Sequence, residues 1–161
     1  MSQRTACDTE MGAGMARLEA VRLRLVESPP GAGETAESTM QRARAAVAEL
    51  GAVDVDALDA VELRDCLEGV EELRRMIDAT AVSAAGRVDR ANPFREQGFF
   101  SAKTVVKHMC KLSGPEAHRR VQTARLHAAL PAWADAAVEG AVGVAHSELM
   151  ARIAANPRVP S

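Results

Sequence analysis

Apolar residues recur along this chain at the three- and four-residue intervals of an α-helix. Nowhere do they alternate with polar residues over strand length, and no Asn-Gly or Asp-Gly hairpin signal occurs. The expected fold is all-α: a helical bundle with one long central helix and a helix-turn-helix-like pair. Residues 1–33 read as an N-terminal helix, Met15–Glu27, and a linker, since Ser28–Gly33 holds two prolines and two glycines. Residues 34–156 read as the helical domain, and 157–161 as a tail. Glu34–Leu50 restarts a helix, capped by Thr35 or Ser38, striped by Met40, Ala43, Val47 and Leu50, and ended by Gly51.

Asp54–Arg90 is the longest periodic segment. Asp54, Asp56 and Asp59 place carboxylates where a helix N-terminus favours them. Leu63, Val70, Ile77 and Ala84 then form a row spaced by seven, flanked by Cys66, Leu73 and Thr80. Such a repeat keeps one seam facing a partner. The partner is either the rest of the bundle or a second copy of the chain, a homo-oligomer through the Leu63–Val88 helix. Glu71 and Arg75 suit an i,i+4 pair. Gly69 and Gly86 either weaken this helix or let another approach it.

Pro93 and Gly98 turn the chain, and Ser101 then caps a helix over Ala102–Lys111. Val105, Val106 and Met109 face inward there, while Lys103, Lys107 and Lys111 line the other side. After the turn Leu112-Ser-Gly-Pro115, Ser113 and Glu116 form a capping box, with Pro115 in the first turn of the next helix. Ala117, Val121, Ala124, Leu126 and Leu130 are its expected buried residues. His118, Arg119, Arg120, Gln122 and Arg125 lie toward its exposed side. Pro131 ends it. Short helices follow over Trp133–Glu139 and Ser147–Ala155, the latter with Leu149, Met150 and Ile153 apolar.

Charge sharpens this picture. The net charge is −2 over the chain, but residues 87–130 carry nine basic and three acidic side chains, and residues 1–86 nine basic and sixteen acidic. A local excess of +6 suits an anionic partner. It equally suits a surface that neutralises the acidic helix before it. In the first case Lys103, Lys107, Lys111, Arg119, Arg120 and Arg125 meet nucleic-acid phosphates, and His118 and Gln122 reach base edges.

Other chemistry is thin. Cys7, Cys66 and Cys110 are odd in number and far apart, which argues against a disulfide framework or zinc knuckle. His108, Cys110 and His118 on two short helices make a poor metal site. No glycine-rich phosphate loop occurs, and neither Cys66 nor Cys110 has a positioned base. Asp65, Glu68, Glu71 and Glu72 read as a solvated face. No catalytic residue, cofactor, metal or small-molecule substrate is expected. Without a long apolar run or signal peptide, no membrane association is expected and the location is cytoplasmic.

From Leu63 to Ile153 the chain also resembles a known family. The residues that carry the likeness are Leu73-Arg-Arg-Met-Ile-Asp-Ala79, the serine-led helix at Ser101, Leu112-Ser-Gly-Pro-Glu-Ala-His-Arg-Arg-Val-Gln-Thr-Ala-Arg125, Leu130-Pro-Ala, and Val138-Glu-Gly-Ala-Val-Gly-Val-Ala-His146. In order and spacing they resemble actinobacterial domain-of-unknown-function family 222, the 13E12 repeat proteins. Members often continue into a C-terminal HNH nuclease-like domain. None of His108, His118, His127 and His146 falls in a His–Asn–His arrangement, and the chain stops at Ser161. The resemblance therefore implies the accessory, non-catalytic part of such a protein. Two positions depart from the family pattern. Lys107 stands where a small residue is usual, and Lys111 where glycine usually opens the turn. A left-handed backbone at Lys111 costs roughly 1 kcal/mol or more.

Overall fold

The computed structural model describes residues 35–156. Among them there are six α-helices and no strand: α1 (Ala36–Leu50), α2 (Ala60–Ala91), α3 (Ala102–Met109), α4 (Gly114–Ala129), α5 (Pro131–Val138) and α6 (Val144–Ala154). The described residues divide into two compact units, the first ending at Val70 and the second beginning at Glu71. The helix expected over Met15–Glu27, its linker and the tail lie outside the described residues.

In the first unit, Thr35 caps α1 by accepting from the Ser38 N–H at 3.2 Å. Its stripe is narrower than the spacing predicts: Ala46 is buried, whereas Met40 and Val47 are exposed. Gly51 does end the helix, with a right-handed backbone (φ −66°) rather than a left-handed one. Asp54 caps a short 3-10 turn, Val55–Ala57, so α2 begins later than Asp54. Asp59 starts it. The Asp59 carboxylate accepts from the N–H groups of Val61 and Glu62 at 2.8 and 2.9 Å, and the Glu62 carboxylate accepts from the Asp59 N–H at 3.1 Å. This reciprocal pairing satisfies donors that a helix start leaves open. Cys66 is buried, but Leu63, Leu67 and Val70 are exposed.

In the second unit the core is built from small residues. Ala79, Val82 and Ala85 of α2 are buried, and Val82 and Ala85 cluster with Ala102 and Val106 of α3 and Ala117, Val121 and Ala124 of α4. Helix α4 also contacts α5 and α6. The seven-spaced row does not form this interface: Ile77 and Ala84 are exposed, one helical step away from the buried row. Large apolar residues marked the wrong face because small side chains let helix backbones approach most closely. A Cβ on Gly86 would sit 3.4 Å from the Ala124 Cβ, which is how near α4 comes.

Other expectations also shift. Arg75 does not pair with Glu71. Its Nε donates to the Gly140 carbonyl at 2.6 Å, and Glu71 pairs with Arg74 instead, at 3.3 Å. Leu130 and Met109 are exposed rather than buried, since α4 ends at Ala129 and α3 at Met109. Pro131 ends α4 by opening α5 at its first position, where its missing N–H costs no hydrogen bond. Leu149 and Ile153 are exposed, and Ser147 and Ala151 are the buried residues of α6. Ser147 accepts from the Trp133 indole N–H at 3.0 Å, tying α6 to α5.

Candidate nucleic-acid interface

The helix–turn–helix pair is α3 and α4. Ser101 caps α3 by accepting from the Thr104 N–H at 3.2 Å. Ala102, Val105 and Val106 are buried, which leaves Lys103 and Lys107 on the exposed side. The turn takes the left-handed form despite its lysine: Lys111 has φ 54°, the one positive φ at a non-glycine among the described residues. The Leu112 N–H reaches back to the Lys107 carbonyl at 3.0 Å. That six-to-one bond, with a left-handed residue just past the helix end, is a Schellman closure. Leu112 then packs against the core, offsetting the backbone cost. Ser113 opens α4 with a full capping box: its hydroxyl accepts from the Glu116 N–H at 3.3 Å, and the Glu116 carboxylate accepts from the Ser113 N–H at 2.9 Å. Hydrogen bonds from the Ser113 side chain and backbone hold the Glu116 carboxyl below its ordinary value.

The basic residues fall into two groups. Lys103, Lys107 and Lys111 are exposed and have no carboxylate partner among the described residues. The three arginines of α4 each have one. Arg119 meets Glu148 at 3.2 Å, Arg120 meets Asp78 at 3.6 Å, and Arg125 donates twice to Asp89, at 2.7 and 2.9 Å. The Arg125 hydrogen bond holds the Asp89 carboxyl below its ordinary range. Neutralisation within the fold therefore accounts for the arginines and leaves the lysines.

Position divides them further. Lys103, His118, Gln122 and Arg125 line one cleft of about 590 Å³, where Arg90, Arg95 and Phe100 join them. Arg119 and Arg120 instead line a separate cavity of about 140 Å³, together with Arg75, Asp78, Thr123 and His127. Thr123 Oγ1 and His127 Nε2 are buried there without a hydrogen-bond partner among the described residues, and burial pushes the His127 imidazole below its ordinary value. Lys107 and Lys111 line neither. Arg90, Arg95 and Phe100 were not among the contact residues expected from the sequence, although the +6 stretch contains all three.

Among the described residues no three His, Cys, Asp or Glu side chains gather as metal ligands. Cys66 is buried and Cys110 exposed, and both are free thiols. No helix among the described residues is long and apolar enough to cross a membrane. No protein-family model, no curated protein and no solved structure matches this chain.

Proposed function

We propose that the second unit is a non-catalytic module that binds nucleic acid, DNA in the first instance, through backbone phosphates. The observation that carries this is the row Lys103, Lys107 and Lys111: three exposed ammonium groups at four-residue spacing, with no ion-pair partner among the described residues. An unpaired surface cation keeps its full attraction for phosphate, whereas a salt-bridged arginine must first give up its partner.

The test is a salt titration with a DNA duplex. Each phosphate neutralised contributes about 0.9 to the slope of log affinity against log salt. The triple variant Lys103→Ala, Lys107→Ala, Lys111→Ala therefore loses between about 2 and 3 from that slope, whereas Arg119→Ala changes it little. Absence of binding at about 50 mM salt, or a triple variant with the parental slope, refutes the proposal.

A second reading, a helical self-association module, is favoured by the exposure of Leu63, Leu67 and Val70 in the first unit. Light scattering decides it: a monomer at all concentrations rules it out, and a dimer lost in Leu63→Glu, Leu67→Glu supports it.

A further inference from the structure

Phe100 is the most exposed large hydrophobic side chain among the described residues, at 77%. The backbone on either side of it is fixed. Asn92 Nδ2 donates to the Phe99 carbonyl at 2.7 Å, and its Oδ1 accepts from the Phe94 N–H at 3.2 Å. The Phe99 N–H bonds to the Phe94 carbonyl at 3.3 Å, and the Phe99 ring lies 6.0 Å from the His108 ring. The next residue, Ser101, caps α3. The fold thus holds an aromatic ring out in water between two anchored neighbours, and a ring left that exposed adds little to folding.

The ring lines the 590 Å³ cleft. Arg90, Arg95, Lys103 and Arg125 bring four positive charges to it, against Asp89 alone, and Asp89 is already engaged by Arg125. His118 and Gln122 add hydrogen-bonding groups. A cationic groove with an aromatic platform is the arrangement that holds unpaired nucleotides: phosphates track the cations and a base stacks on the ring. A duplex cannot use such a ring, because its base faces are covered by their neighbours.

We infer that this cleft takes single-stranded nucleic acid, with one base stacked on Phe100 and the adjoining phosphates at Arg95 and Lys103. The inference rests on the phosphate-binding reading above and names the strand form that the module prefers.

The experiment is fluorescence anisotropy with labelled (dT)12 and with a duplex of the same length. Phe100→Ala weakens (dT)12 binding roughly 5- to 150-fold, the range of one base–aromatic stack. It leaves duplex affinity and the salt slope as they were, since no charge is lost. Phe100→Leu, which keeps apolar bulk and thus guards against a folding effect, shows the same loss, and Phe100→Trp restores binding. Arg95→Ala with Lys103→Ala lowers the single-strand slope by about 1.4, at about 0.7 per phosphate. If Phe100→Ala and Phe100→Leu bind (dT)12 like the parent, or a (Glu)12 peptide binds as well as (dT)12, the stacking inference falls while duplex binding still supports the phosphate reading. If neither strand form binds, both fall.

Discussion

Replacing Lys111 by glycine should stabilise the protein. Lys111 sits at φ 54°, and the closure of the turn, Leu112 N–H to Lys107 carbonyl at 3.0 Å, requires that conformation. A side chain there costs about 1–2 kcal/mol, because the Cβ crowds the following carbonyl. Glycine removes that strain but gives the unfolded chain about 0.4–1 kcal/mol more backbone entropy to lose. The balance is a gain of about 0.5–1 kcal/mol, or between about 1 and 4 °C in melting temperature for a chain of this length. Urea denaturation followed by circular dichroism measures it, with a higher midpoint and an unchanged m-value expected. Lys111→Ala is the control: it loses the charge but keeps the Cβ, and should melt close to the parent. If alanine stabilises as much as glycine, relief of charge repulsion with Lys107 is the cause and the backbone reasoning is refuted. A fall in stability for Lys111→Gly refutes it too. On the proposed phosphate-binding reading, the variant also loses about 0.9 from the salt slope of DNA binding.

Gly140 presents the opposite case. At φ 77°, a Cβ there would stand 3.1 Å from Glu72 Cγ and 3.3 Å from Met76 Cγ, so Gly140→Ala should cost at least about 1–2 kcal/mol, read as a lowered urea midpoint. Trp133→Phe removes the donor to Ser147, whose side chain is buried at 3% exposure, and should cost about 1–3 kcal/mol in the same assay. His127 gives the stability a pH dependence. Burial holds the imidazole below its ordinary value of 6.5, so on acidification the unfolded chain takes up a proton before the folded one does. Stability is therefore full above about pH 6.5 and declines as pH falls below it. The urea midpoint should drop between pH 7.5 and 5.5, and drop less in His127→Leu.

Much of the architecture was legible in the chain. Caps and stops are local chemistry, in which a hydroxyl or carboxylate answers backbone donors two or three residues away. Ser101, the Ser113–Glu116 box and Pro131 could therefore be placed from spacing alone, whereas the choice of Thr35 over Ser38 as the first cap needed the structure. The helical character followed from periodicity in the same way. The candidate interface was legible in part. The +6 stretch marked the region, and the lysine row was visible as every fourth residue. The arginine partners were not visible, because Asp78, Asp89 and Glu148 lie 29 to 42 positions away along the chain.

Among the described residues, helical character and most helix ends were thus determined by the sequence itself, through interactions that span at most a turn, although α2 begins at Ala60 rather than Asp54 and α6 at Val144 rather than Ser147. Which face of α2 is buried was decided only in three dimensions. Periodicity gives the spacing of a stripe, but Leu63, Val70 and Ile77 outweighed Ala79, Val82 and Ala85 on hydrophobicity, whereas contact between helices is governed by how close their backbones can come. Tertiary structure likewise divided six cations into three arginines that are ion-paired and three lysines with no ion-pair partner among the described residues. It also placed Phe100 in a basic cleft, because ion pairing and exposure depend on what folding brings alongside each side chain.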